Sequence, residues 1–224
     1  AVGTAATDII PQPRLAEGMG YFGLASTLAM TVAPAVGLFI VNYYTFTHLF
    51  AASVALTLVS MLLASMVKYQ KITRKTGAPP GALFERAAYR PSLVVFLATM
   101  TYGSVVTFVA LHADKQGISM DQIGIFFTIY AITLSLTRPL AGMLVDRRGY
   151  DIAVIPGLIF ITITMLVLSQ ATVLWMFLLA GVLYGVGFGI VHPSMQAMAV
   201  QFVPPQRRGA ANGTFFSAFD LGIG

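Results

Sequence analysis

From Gly18 to Val67 the chain carries no Asp, Glu, Lys or Arg, and the same holds from Ile152 to Gln206. Runs of that length cannot supply the polar face of a soluble helix. A membrane-spanning helix needs about 20 mostly apolar residues, so each run is long enough for two. The first breaks at the polar "NYYT" beginning at Asn42 and the second at "SQAT", Ser169–Thr172. Two further spans are expected over Pro91–Leu111 and Ile123–Val145. Charged residues make up 9% of the chain, against about 25% in a soluble domain. The expectation is an all-α membrane protein with six complete transmembrane helices and a partial one at each end. "AVGTAATDII" reads as the end of an apolar helix and "FFSAFDLGIG" as the start of one, so a fragment of a longer protein is expected.

The Lys and Arg residues fall almost entirely on alternate loops. Arg14, the Lys68–Arg90 segment, Arg147, Arg148, Arg207 and Arg208, with Arg138 at the edge, hold 12 of the 13 basic residues, and the other loops hold only Lys115. Cytoplasmic loops are the Lys/Arg-rich ones. The net charge of +5 is therefore explained by topology, and no nucleic-acid partner is expected. With no cysteine in the chain, disulfide frameworks, thiolate zinc sites and thiol catalysis are excluded.

The polar stretch Val67–Pro91, "VKYQKITRKTGAPPGALFERAAYRP", is read as a cytoplasmic linker with a Gly/Pro hinge at Gly77–Gly81 and room for a short surface helix. It divides the chain into one transmembrane bundle over 1–67, the linker over 68–91 and a second bundle over 92–224. Its basic cluster also suits anionic lipid. An internal repeat supports two bundles. "DIIPQPRLAEGMGYFGLASTL" from Asp8 aligns with "QFVPPQRRGAANGTFFSAFDL" from Gln201, pairing Pro11 with Pro204, Arg14 with Arg207 and Gly20 with Gly213. Each copy is a loop feeding an apolar helix, as in transporters built from repeated halves.

The charged end of the Ile123–Val145 span reads Gly142-x-x-x-Asp146-Arg147-x-Gly149. Gly142 and Asp146 share one helix face. A glycine there lets a second helix approach closely. The carboxylate then lies where it can meet that helix's N-terminal N–H groups or an arginine, and Gly149 permits the turn into the next span. This pattern resembles the signature loop of the major facilitator superfamily, Gly-x-x-x-Asp-Arg-x-Gly followed by two basic residues. Tyr150 and Asp151 stand at those last two positions, which matches the weaker second copy between helices 8 and 9. In the superfamily's count the chain then runs from the end of helix 4 to the start of helix 11, with the linker between helices 6 and 7. The resemblance implies that Asp146 braces helix 8 against helix 5 near Glu17–Gly20, with Arg138, Gly142, Arg147 and Gly149 completing a gate.

"AMTVAPAVG" on helix 5 resembles the Gly-Pro-x-x-Gly stretch of bacterial drug:proton antiporters, with Ala33, Pro34 and Gly37 at the matching positions. Asp220 is the acidic residue expected deepest in the membrane, about 10 Å along a helix starting near Gly213. It is a candidate for proton coupling, or else for a static ion pair. His192, beside Pro193, is the second coupling candidate and has an alternative role as a structural hydrogen-bonding residue. Pro193 is also expected to kink a helix that is too long to cross upright. Arg138 is expected to snorkel to the inner interface or to bind an anionic group. Tyr102, Tyr130, Tyr184 and Phe188 fall near mid-span and suit a cavity for a largely apolar substrate with a polar handle. Gly181, Gly185 and Gly189 form a packing stripe. "GVGFG" lacks the preceding strand and following acidic residue of a dinucleotide site.

No HExxH, no intramembrane Asp pair and no nucleophile triad is present, so neither an enzyme, nor a metal, nor a cofactor is expected. The resemblance implies a monomeric secondary transporter of the bacterial inner (plasma) membrane with a small-molecule substrate. Proton-coupled efflux of small amphipathic molecules is the leading expectation, and proton-driven uptake of a sugar or organic acid the alternative.

Overall fold

The computed structural model describes residues 6–7, 9–66 and 84–224. Among them lie seven α-helices: α1 (Leu15–Tyr43), α2 (Phe46–Met66), α3 (Tyr89–Lys115), α4 (Met120–Arg148), α5 (Tyr150–Ser169), α6 (Leu174–Gln201) and α7 (Arg208–Ile223). No strand occurs among the described residues. Five helical segments are long and apolar enough to cross a membrane: Phe46–Met66, Arg86–Lys115, Gln122–Arg148, Tyr150–Ser169 and Leu174–Gln201. The remaining expected span, α1, is a continuous helix of 29 residues. The Gly77–Gly81 hinge and the expected surface helix of the linker lie outside the described residues.

Local chemistry explains the helix ends. Before α4, Gly117 adopts a left-handed φ of 75°, and Ser119 and Gln122 then form a reciprocal capping box that satisfies two orphan N–H groups. α3 begins two residues ahead of the expected Pro91. Proline is tolerated there because the first turn has no intrahelical acceptor for its missing N–H. Gly149 ends α4 and opens α5 at φ 88° and ψ 170°, a region open essentially to glycine alone.

By internal contact the chain forms two compact units, Ser26–Thr73 and Ala1–Ala25 with Arg74–Gly224. The first part of α1, Leu15–Ala25, lies in the larger unit. In the smaller unit, Tyr43 ends α1, the Tyr44 N–H donates to the Ile40 carbonyl at 2.8 Å, and the Thr45 hydroxyl meets His48 Nδ1 at 2.9 Å to start α2.

In the larger unit α6 is the central helix, packed on α4 and α5, while α3 packs on α7. Lipid offers no hydrophobic drive between helices, so close packing of small residues must hold them. The Gly181/Gly185/Gly189 stripe faces α4: Cβ atoms there would lie 3.1 Å from Phe126, 2.7 Å from Thr133 and 3.0 Å from Thr137. Gly187 faces the other way, its Cβ position 2.8 Å from the Gly157 carbonyl of α5. One glycine-rich helix therefore packs closely on two sides. α6 has 28 residues, about 42 Å of helix against a hydrocarbon core of about 30 Å.

The internal repeat is visible in the backbone. Gln12–Arg14 and Pro205–Arg207 are both 3₁₀ turns, and each leads directly into a helix, α1 at Leu15 and α7 at Arg208. The closing hydrogen bonds match as well, Arg14 N–H to Pro11 O at 2.9 Å and Arg207 N–H to Pro204 O at 2.8 Å. The aligned prolines supply a carbonyl at the turn and a fixed φ.

Candidate functional site

α4 runs antiparallel to the first part of α1, and the signature residues lie on their contact. Asp146 Oδ1 accepts from the Ala16 N–H at 3.0 Å, and Oδ2 from the Glu17 N–H at 2.8 Å. These are first-turn amides of α1, which have no intrahelical acceptor. A carboxylate there satisfies two of them and complements the positive end of the helix. One turn earlier, a Cβ on Gly142 would lie 2.5 Å from both the Ala16 carbonyl oxygen and the Glu17 Cα. The glycine is what lets the backbones approach closely enough for the carboxylate to reach. Arg147 is exposed beyond the contact.

Further along the same pair, Gly20 faces the backbone of Arg138, with its Cβ position 2.7 Å from that carbonyl oxygen. Arg138 does not extend to the interface as a snorkelling side chain would. It is 7% exposed, and its Nη1 donates to the Gly23 carbonyl.

The four aromatic residues singled out from the sequence come together. Ring centroids are 6.3 Å apart for Tyr102–Tyr130, 5.3 Å for Tyr102–Phe188, 5.6 Å for Tyr130–Tyr184 and 5.9 Å for Tyr184–Phe188. Tyr184 is buried and its hydroxyl meets Thr101 Oγ1 at 2.9 Å, whereas Tyr102 and Tyr130 are half-buried. The cluster continues to His192, which stacks on Phe188 at 5.7 Å and meets the edges of Phe215 at 5.7 Å and Phe219 at 5.1 Å. His192 is thus surrounded by rings.

Asp220 is not beside it: Phe219 faces the imidazole, and Asp220 is exposed. α7 also starts at Arg208 rather than near Gly213, placing Asp220 about 18 Å along the helix instead of 10 Å. On α1, Ala33, Pro34 and Gly37 fall inside an uninterrupted helix. The surroundings of the Ala33 and Pro34 side chains lie outside the described ones, and a Cβ on Gly37 would make only an ordinary contact of 3.9 Å with Leu49.

Three polar contacts at the α6–α7 turn and the start of α7 have no counterpart in the sequence expectations. Arg207 Nε pairs with Glu85 Oε2 at 2.5 Å, and the Glu85 N–H donates to Thr214 Oγ1 at 2.9 Å. Arg208 Nη1 donates to the Thr7 carbonyl at 3.0 Å. The adjacent arginines carried no sign of their separate partners. Only the position of Glu85, the single acidic residue of the Val67–Pro91 stretch, hinted at one.

The family model of the Major Facilitator Superfamily matches residues 91–224. The chain belongs to the major facilitator superfamily. It is 25% identical, over 96% of its own length and 58% of the relative's, to the uncharacterized MFS-type transporter MJ1560 of Methanocaldococcus jannaschii. It is 26% identical, over 96% of itself and 53% of the relative, to the uncharacterized MFS-type transporter YhhS of Escherichia coli K12. YhhS of Salmonella enteritidis is 31% identical over 59% of this chain and 32% of its own length. The chain spans about half the length of the curated relatives it matches across most of its own length. This major facilitator chain is a multi-pass membrane protein.

Proposed function

We propose that the protein acts as a monomeric secondary transporter of the plasma membrane, exporting small amphipathic molecules in exchange for protons by alternating access. The observation that carries this reading is the Asp146 carboxylate spanning the Ala16 and Glu17 amides. It is a compact, breakable contact between a helix of each expected bundle, at the end of the pair richest in Arg. Breaking it separates α1 from α4 on that side, and remaking it closes the path again. The Lys/Arg-rich side, including the 68–91 linker, is cytoplasmic in this reading.

Export is supported by the resemblance of Ala33-Pro34-x-x-Gly37 to the antiporter stretch, and by the apolar, aromatic character of the Tyr102/Tyr130/Tyr184/Phe188 cluster. Asp220 is the proposed proton-coupling carboxylate. His192, enclosed by Phe188, Phe215 and Phe219, fits a packing role better than a coupling one.

Direction is tested by dye accumulation in cells expressing the full-length transporter. A proton uncoupler is expected to raise the dye retained. If it lowers retention instead, proton-driven uptake replaces export. Asp220→Asn is expected to abolish the pH dependence of transport, and retention of that dependence would remove Asp220 from the coupling step.

A further inference from the structure

We propose that Arg138 is the receptor for the oxyanion of an amphipathic organic anion, a carboxylate being the simplest such group. The Gly23 carbonyl holds the guanidinium while the anion is absent. This rests on the transporter reading and names the substrate class of its central site.

Arginine keeps its charge at any physiological pH. Arg138 keeps it while only 7% exposed. A buried charge is stable only when paired and hydrogen-bonded. Among the described residues no carboxylate is ion-paired with Arg138. Asp146, two turns along α4, is committed to the α1 amides. The Glu85–Arg207 pair is elsewhere, at the α6–α7 turn.

The bond to Gly23 uses the Nη1 corner of a group with five N–H donors. Arg138 Nε is buried with no hydrogen-bond partner among the described residues. A carboxylate takes two parallel N–H groups from such a fork and is a stronger acceptor than one neutral carbonyl.

The surroundings fit the rest of the ligand. Tyr130 lies two turns before Arg138 on α4, and its ring neighbour Tyr102 stacks on Phe188 at 5.3 Å, a surface suited to an apolar or aromatic body with a polar handle. Gly23 is part of the device. A Cβ there would lie 2.6 Å from Arg138 Nη1, so any larger residue would make the guanidinium shift from its present place on the carbonyl. Nε is buried in this arrangement of α1 and α4, and in the proposal the anion reaches it as they part. The carbonyl and the anion then compete for one guanidinium, which ties ligand binding to opening of the helix pair.

The test is thermal melting of the purified full-length transporter with acetate, benzoate, salicylate and 1-naphthoate, each against its primary amide at matched ionic strength. At least one aromatic acid is expected to raise Tm saturably by several degrees while its amide does not. Arg138→Gln is expected to abolish the response, and Arg138→Lys to keep a weaker one. Acids and amides acting alike across the panel would overturn the proposal. So would an undiminished response in Arg138→Gln; and a protein carboxylate from elsewhere in the full chain occupying Arg138 would show as no acid-selective response. Should Arg138→Gln fail to fold, the wild-type comparison still decides. Tyr130→Phe then locates the site: it keeps the ring and should weaken the apparent affinity by about threefold or more, the loss of one hydrogen bond, and unchanged affinity would move the site elsewhere. Stabilisation is read without turnover. Acid-selective binding with no transport would sink the transporter reading and spare the site, whereas transport without acid-selective binding would do the reverse.

Discussion

The Asp146 carboxylate accepts the Glu17 backbone N–H at 2.8 Å from 129 residues away in the chain. Its other oxygen takes the Ala16 N–H, so one side chain caps the start of α1 from the end of α4. Charge-assisted bonds of this kind contribute roughly 1.5–3 kcal/mol each, enough to set which of two helix arrangements prevails.

Asp146→Asn should therefore shift the protein toward separated α1 and α4. The chain has no native cysteine, so spin labels can be placed cleanly at exposed Tyr21 on α1 and Leu140 on α4. Pulsed dipolar spectroscopy of the full-length protein should show the longer-distance population grow about tenfold or more relative to the shorter, the effect of roughly 1.4 kcal/mol. An unchanged distribution would mean that the contact does not hold the pair.

Gly142→Ala should destabilise the protein, because the added methyl meets backbone atoms at 2.5 Å and backbone cannot rotate aside. Overpacking of this kind costs about 1–3 kcal/mol. Gly124, whose Cβ position has nothing within 4 Å, is the control. Gly124→Ala should be neutral or stabilising by up to about 1 kcal/mol. Detergent melting curves compare the two, and equal Tm values would contradict the close approach.

Gly149→Ala should cost roughly 1–3 kcal/mol through the backbone alone, since φ is 88° with ψ 170° and no atom crowds the Cβ position. The loss should appear in the same melting assay and should not be relieved by other small side chains such as serine. A Gly149→Ala protein as stable as the wild type would show that the turn has an alternative conformation.

Glu85→Ala removes the ion pair to Arg207 and the side-chain cap on the Ala87 N–H. Arg207 is 44% exposed, so the pair itself is worth only about 1 kcal/mol or less. Local opening should rise several-fold, read as faster tryptic cleavage after Arg86 at an unchanged Tm. Unaltered cleavage would show that Thr214 alone holds this segment.

The fold was legible wherever a one-dimensional pattern decides it. Uncharged length marked the spans. The Pro11/Pro204 alignment located two equivalent turns because proline and the loop position constrain the backbone the same way twice. At the site, the Gly142–Asp146 spacing specified a shared helix face, and the repeat pointed to Glu17–Gly20 as the region opposite. Arg138 was harder to read. A long side chain near a helix end can extend to the interface or fold inward, and the choice depends on the glycines at 20 and 23 of another helix. Asp220 lies further along its helix than a start near Gly213 implies, because the sequence of α7 carries no capping residue to mark its start at Arg208.

By itself, then, the sequence determined that the chain spans a membrane several times, where it turns, and which helix end bears the signature carboxylate. These follow from hydropathy, charge count and residue spacing, all of which are local. Only the tertiary structure decided that α1 gives its first amides to Asp146, that Arg138 turns inward to the Gly23 carbonyl, and that Tyr102, Tyr130, Tyr184 and Phe188 meet. Each of these depends on how closely two helices approach, and that distance is set by glycines that lie far apart in the chain.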